Sequence, residues 1–278
     1  MLGMTAEGSS ARRRRVSYPV ANLRAQVSAL ETVMAQVIAK PGKEPVHQLR
    51  SVTRKVEAQF AVLRELAGQE PGFQVVESSA RRVEKLLDKV RRAAGRVRDL
   101  DVQQALAQEF AGEGATASVR REVREIRKQL RADRAVAAED LVSALSGHGR
   151  RLAPQLEALM TELKPVEAVG MSPVEQEVMT RGWYASQLDV ARQDGKLVRA
   201  MHRIRKAAKL ARYMAENGLA ARVVEEFKAM QEAGGRWHDC RILLNAARRR
   251  LGKRSGLAAL LKEREATARG SFQALVGN

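Results

Sequence analysis

The chain has 278 residues, with 50 Lys and Arg against 32 Asp and Glu, a formal net charge of +18. With 45% hydrophobic residues it can bury a core, which excludes wholesale disorder, and its charge calls for an anionic partner. No run of 18 uncharged apolar residues occurs, Arg12 to Arg15 is followed by no apolar stretch, and Cys240 is the single cysteine, so no transmembrane helix, secretory signal or disulfide framework is expected and a reducing, cytoplasmic setting fits.

Ile occurs four times and Thr seven, while Ala, Leu, Glu, Arg and Lys dominate, so an all-α fold is expected. Pro19, Pro41, Pro45, Pro71, Pro154, Pro165 and Pro173 read as segment edges, where proline opens helices without interrupting them. The predicted helices run 19–39, 44–67, 74–94, 97–110, 116–146, 151–163, 173–193, 197–217, 219–233, 236–251 and 257–276. Residues 1–18 read as a basic, disordered tail.

Two motifs recur in order. Val46-His47-Gln48-Leu49-Arg50-Ser51-Val52-Thr53-Arg54 aligns with Met201-His202-Arg203-Ile204-Arg205-Lys206-Ala207-Ala208-Lys209, both apolar-His-x-apolar-Arg-x-x-x-basic. Further on, Ala94-Gly95-Arg96-Val97-Arg98-Asp99 aligns with Gly234-Gly235-Arg236-Trp237-His238-Asp239. A duplicated helical unit is expected, with repeats at 19–115 and 166–278, linking helices at 116–165, and the length difference absorbed in the loop around Gly68 to Gly72 and a longer third helix.

The charge is concentrated. Windows 40–64, 81–98 and 196–212 carry nets of +4, +6 and +7, nearly the whole excess. At 100° per residue, Leu49, Val52, Val56, Phe60 and Leu63 face the core while Lys43, His47, Arg50 and Arg54 gather opposite. In the counterpart helix Ala200, Ile204, Ala208 and Ala211 are buried, and Arg199, His202, Arg205, Lys206, Lys209 and Arg212 take the other side. Arg81, Lys85, Lys89, Arg92 and Arg96 share a face of the third helix. Each reads as a ladder of cations with almost no carboxylates to pair them. Like charges at i,i+3 and i,i+4 repel by roughly 0.2–0.5 kcal/mol per pair, so a plain solvated face explains these ladders less well than a linear polyanion lying along them.

His47 and His202 stand in register within the repeat, among cations that disfavour the imidazolium; a bound polyanion would favour it. Asp99 and Asp239 read as orienting carboxylates at the start of a fourth helix in each repeat, near its positive end and within reach of Arg50 or Arg205. His47, His202, His238, Asp99, Asp101 and Asp239 offer metal-donor types, but no HExxH, HxH or Cys-His spacing occurs and the adjacent cations oppose a divalent ion. No phosphate-binding glycine loop or nucleophile–base signature is found, so no catalytic residue, metal or cofactor is assigned. Nucleic acid fits less well than a bare polyanion, because aromatic residues make up only 4% and single-strand binding relies on aromatic platforms.

With the duplicated His-x-x-Arg helix and the Arg-x-Arg-Asp-Leu-Asp or Arg-Trp-His-Asp segment in view, the chain resembles the CHAD family, the conserved histidine α-helical domain, over about residues 20 to 275. The resemblance implies two pseudo-symmetric helical bundles facing each other across a basic groove that binds inorganic polyphosphate, with association to polyphosphate granules. Carried over by position, His47, Arg50, Arg54, His202, Arg205 and Lys209 match the family's basic motif and Asp99 and Asp239 its acidic turn. Repeat two departs at Lys209, His238 and Arg241, which stand where repeat one has Arg54, Arg98 and Asp101. The ExExK strand of triphosphate-hydrolysing relatives is not matched by Glu263-Arg264-Glu265-Ala266-Thr267. A non-enzymatic polyphosphate binder is the expectation; a non-specific nucleic-acid-binding protein and a metal-dependent phosphatase on phosphate chains are the alternatives.

Overall fold

The structure, a computed structural model, describes residues 16–68 and 76–277. Arg12 to Arg15, Pro71 and Gly72 and the first residues of the expected helix at 74 lie outside the described residues. The described chain is all helical: α1 (Pro19–Ala39), α2 (Lys43–Ala67), α3 (Val76–Glu109), α4 (Ala117–Ala144), α5 (Arg150–Glu162), α6 (Pro173–Arg192), α7 (Leu197–Asn217), α8 (Ala221–Arg250) and α9 (Gly256–Val276). Extended pairing among the described residues is limited to one bridge, Ser17 with Met171. Ser17, inside the segment read as a tail, donates from Oγ to the Asn217 carbonyl, which also accepts from Asn22 Nδ2, so the start of the described chain is fastened to the end of α7.

Three expected breaks are absent. Helices anticipated at 74–94 and 97–110 form the single 34-residue α3, and those at 219–233 and 236–251 form the 30-residue α8. Glycine costs a helix about 1 kcal/mol against alanine without ending it, and here two of the glycines serve packing. A β-carbon on Gly95 would lie 2.9 Å from Arg50 Nη1, and one on Gly234 would lie 2.8 Å from Arg205 Cγ and 3.0 Å from the Phe272 ring. Each glycine lets a long helix approach the arginine of another. The third break, between 146 and 151, is a π turn at Leu145–Gly149 that carries α4 directly into α5. Pro154 therefore lies inside a helix and not at its edge; its ring leaves the Arg150 carbonyl without an i→i−4 donor.

Amphipathic faces assemble into three apolar clusters. The first joins α1, α2, the N-terminal half of α3, the end of α4 and α5, and takes Tyr213 and Met214 from α7. The third joins α6, α7, the first half of α8 and Phe272 of α9. Between them, Leu106 and Ala107 of α3 and Val119, Val123, Ile126 and Leu130 of α4 pack with the second half of α8 and the start of α9. Helix α4 thus contributes its first half to one cluster and Ala137, Ala138 and Leu141 to another. Helix α2 packs on α7 and α3 on α8, which brings the two repeated motifs together.

The adjacent glycines of α8 separate packing from propensity. Gly234→Ala drives a methyl into Arg205 and the buried Phe272 ring and is expected to destabilise by about 1–3 kcal/mol. At Gly235 an added β-carbon meets nothing within 4 Å, so Gly235→Ala is expected to stabilise by about 0.5–1 kcal/mol. Urea denaturation of the two variants checks the opposite signs.

Candidate polyanion site

Helices α2 and α7 turn the expected apolar stripes inward: Leu49, Val56, Phe60 and Leu63 are buried, as are Ile204, Ala208 and Ala211. Their other faces meet beside α3 and α8. Arg50 on α2 is held by Asp99 on α3, Nη1 to Oδ1 3.4 Å, and Arg54 by Glu57, 2.7 Å. Lys55 crosses to Glu216 of α7 at 3.1 Å. Arg54, Glu57 and Arg91 meet Arg203 and Lys206 around a cleft of about 330 Å³ between α2, α3 and α7. Tyr213 underlies this corner, with Arg212 Cζ 4.4 Å and Lys209 Nζ 6.0 Å from its ring centroid.

On the α8 side, His202 lies 4.7 Å from the Trp237 ring and 5.3 Å, edge-on, from His238, centroid to centroid. Trp237 is fully buried and donates from Nε1 to Glu265 Oε1 at 2.9 Å. The Arg205 Nε and His238 Nδ1 atoms are buried and lack hydrogen-bond partners among the described residues. Arg98, Arg205, Lys206 and Lys209 make no ion pair among the described residues, so positive charge accumulates where the four helices converge.

The protonation equilibria record this crowding. Burial, reinforced by Arg50, Arg54 and Arg205, pushes the Lys209 ammonium down to about 7. Burial and then Arg205 bring His202 down to about 4 and His238 to about 3; burial and then Arg98 lower His47. Arg205 falls to about 10 through burial, against the pull of Asp239. Burial also pushes Asp239 up to about 6 and raises Asp99, in spite of the neighbouring guanidinium groups. The surroundings of the site favour neutral histidines and weaken the hold of Lys209 on its proton.

The expected ladders are distributed differently. Arg81, Lys85, Lys89, Arg92 and Arg96 lie exposed on the outer flank of α3: Arg81 pairs with Glu77, Arg92 with Asp88 and Arg96 with Asp140 of α4. Arg81, Lys85, Lys89 and Arg92 border a cleft of about 590 Å³ that reaches Thr53, Glu57 and Arg91. On α7, Arg199 pairs with Asp194 at 3.7 Å and Arg212 with Glu216 at 3.4 Å. The expectation of ladders without carboxylates is corrected accordingly: counting over a window misses acids just outside it, such as Asp194 before α7 and Glu216 in its last turn, and acids on neighbours, such as Asp140. Lys43, at the start of α2, stands apart, in a cleft between α3 and the α8–α9 pair.

Asp99 and Asp239 occupy the middles of α3 and α8, so the favourable helix N-terminus expected for them does not exist. Asp99 contacts Arg50, whereas Asp239 makes no ion pair among the described residues. Two participants were missed. Arg91 faces Arg54 and Lys206, and Arg98 stands near His47, Arg50 and both aspartates. They are seven residues apart on one side of α3, and that spacing was their signal in the sequence. Among the described residues, no three His, Cys, Asp or Glu side chains converge as a metal site would require.

The strained ammonium has a pH signature. Between about 7 and the ordinary 10.5 the unfolded chain keeps a proton on Lys209 that the native state has released, so unfolding free energy rises with pH. Wild type is expected to gain melting temperature from pH 7 to pH 9. Lys209→Met is expected to start higher at pH 7 and to keep only the smaller slope of Lys206, which burial also lowers. Thermal unfolding across that range checks both.

Comparison with solved structures places this geometry in a known architecture. The crystal structure of the CHAD domain from the plant Ricinus communis matches with a TM-score of 0.60 and 20% identity, covering 93% of this chain and 86% of that one. PptA from Streptomyces chartreusis also matches at 0.60, with 15% identity, covering 95% of this chain and 100% of its own. At such identities the likeness speaks for the fold alone, and no curated protein matches the sequence significantly. The sequence itself matches the CHAD domain over residues 21–248, most of its length, and on that match the chain belongs to the CHAD domain family.

Proposed function

We propose that this protein binds inorganic polyphosphate in the cation cluster between α2, α3, α7 and α8, acts by binding and not by catalysis, and associates with polyphosphate granules in the cytoplasm. The family is linked in general to polyphosphate binding. Among the described residues no helix is long and apolar enough to cross a membrane. The observation that carries the proposal is the unpaired set Arg98, Arg205, Lys206 and Lys209, closed in beside Arg50 and Arg54. Successive phosphate oxygens accept charge-assisted hydrogen bonds from these donors, relieve their mutual repulsion and restore the protons that His47, His202 and Lys209 tend to lose. On this reading the two repeats are a duplicated unit whose basic faces form one groove. Asp99 positions Arg50. Arg199 and Arg212 border the groove, Lys43 lies beyond it in the cleft between α3 and the α8–α9 pair, and Arg81, Lys85, Lys89, Arg92 and Arg96 lead outward along α3. Most of these flanking cations are exposed, and several are already paired, so each contributes less.

Arg50→Ala with Arg205→Ala is expected to weaken long-chain polyphosphate binding about a hundredfold or more, since each charged hydrogen bond is worth about 1.5–3 kcal/mol. Arg92→Ala with Arg96→Ala is expected to cost less than about tenfold. A competition titration of labelled polyphosphate against DNA and RNA, at low and near-physiological salt, tests selectivity. Polyphosphate retained while nucleic acid is displaced supports the groove. Three polyanions dissociating together would make the surface a non-specific electrostatic one. Release of phosphate on adding Mg²⁺ or Mn²⁺ would overturn the non-catalytic reading.

A further inference from the structure

The cleft that contains Lys43 differs in character from the central cluster. It encloses about 650 Å³ between α3 and the α8–α9 pair. Its inner end carries three cations, Lys43, Arg98 and Arg236, none ion-paired among the described residues, with Asp239 as the one carboxylate beside them. Its other end is closed by the ion pair of Arg264 with Glu109, 2.6 Å, and Arg264 also lies over the Phe110 ring, 5.2 Å from its centroid. Arg98 and Glu109 are eleven residues apart on α3, which sets the two ends about 16 Å from each other.

Between these ends the walls are apolar on one side and mixed on the other. Val102, Ala105 and Leu106 of α3 face Ala268 of α9 and Cys240 of α8. Thr267 and Ser271 line the α9 wall, and their hydroxyls already donate to the Glu263 carbonyl, 3.2 Å, and the Thr267 carbonyl, 3.1 Å. Each hydroxyl therefore offers the cleft lone pairs and no free proton. A bare phosphate chain has no use for such walls, and an alkyl chain has no use for the acceptors. The matching ligand has several phosphates at one end and, at the other, a flat or compact body that is partly apolar and carries hydrogen-bond donors.

We propose that this cleft is a nucleoside polyphosphate site, with the phosphates at Lys43, Arg98 and Arg236 and the nucleoside between Leu106 and Ala268, its amino or ribose hydroxyl protons donated to Thr267 and Ser271. The phosphate end abuts the central cluster through Arg98, so occupancy here adds negative charge at the edge of the polyphosphate groove. The assignment rests on the cleft's own lining; Arg98 is the cation it shares with the central cluster, while its nucleoside end is separate from the polyphosphate groove.

Calorimetric titration of the full chain with ATP and with inorganic tripolyphosphate, without metal and at matched ionic strength, isolates the nucleoside end. One saturable ATP site at least about tenfold tighter than tripolyphosphate is expected. Ala268→Leu, which fills the nucleoside half, and Thr267→Val, which removes an acceptor from an exposed position, are each expected to reduce that preference at least threefold. Both variants are expected to leave long-chain polyphosphate affinity within about twofold. Equal binding of ATP and tripolyphosphate by the wild type overturns the proposal, as does an unchanged preference in both variants. Failure of long-chain polyphosphate to bind would instead count against the central groove, which is read in a separate titration.

Discussion

Everything in this molecule is arranged around a repulsion that the fold does not neutralise. Arg50 and Arg54 from one helix confront Arg205, Lys206 and Lys209 from another, with Arg91 and Arg98 supplied by a third, and the nearby carboxylates reach only some of them. An unpaired cation kept from water is costly. The cluster persists because the apolar faces behind it are committed to three cores that cannot be kept while α2 and α7 separate. The cost shows in groups that lose protons more easily than they do in water. On the proposed reading, a ligand whose charge is negative and distributed along its length relieves that cost.

Much of this was legible in the sequence. The helix edges at Pro19 and Pro173, the buried stripes of α2 and α7 and the cations opposite them follow from periodicity alone, and the ordered recurrence of His47 to Arg54 in His202 to Lys209 led to the family. What was lost has a common cause. Gly95 and Gly234 look like punctuation to a reading confined to neighbours in sequence; their role is defined by Arg50, Arg205 and Phe272, which approach from elsewhere. The pairing of Arg96 by Asp140, and of Arg199 by Asp194, is likewise decided by elements outside the counted window. Arg91 and Arg98 fell off the chosen stripe of α3: their seven-residue spacing puts them on one side of the helix, and the packed structure shows that this side meets α2 and α7.

The two motifs are not used alike. Arg50 has a carboxylate partner in Asp99, while Arg205 has none within ion-pair distance and lies with its aliphatic stem against Gly234. Arg98 in one half corresponds to His238 in the other, and the latter is the group most strongly held neutral. Asp101 is engaged by Arg134, which also donates to the Pro41 carbonyl at 2.8 Å and so ties α4 to the turn between α1 and α2; its counterpart Arg241 instead lies 6.0 Å from the Trp237 ring centroid. The first half thus presents the better braced wall, with His47 as its one titrating imidazole, and the second a wall in which His202, His238 and Lys209 all shed protons readily.

Trp237 sits at the seam between these walls. Its indole is sealed from solvent, anchored through its N–H to Glu265, and in van der Waals range of the His202 imidazole. A protonated imidazole accepts an electron from an excited indole far more readily than a neutral one does. The molecule has only one other tryptophan, Trp183, placed on α6 and packed at the margin of the cores. Trp237 is therefore placed to act as an optical gauge: its emission is expected to dim when His202 takes up a proton, so that the charge on that imidazole can be followed in the unlabelled protein.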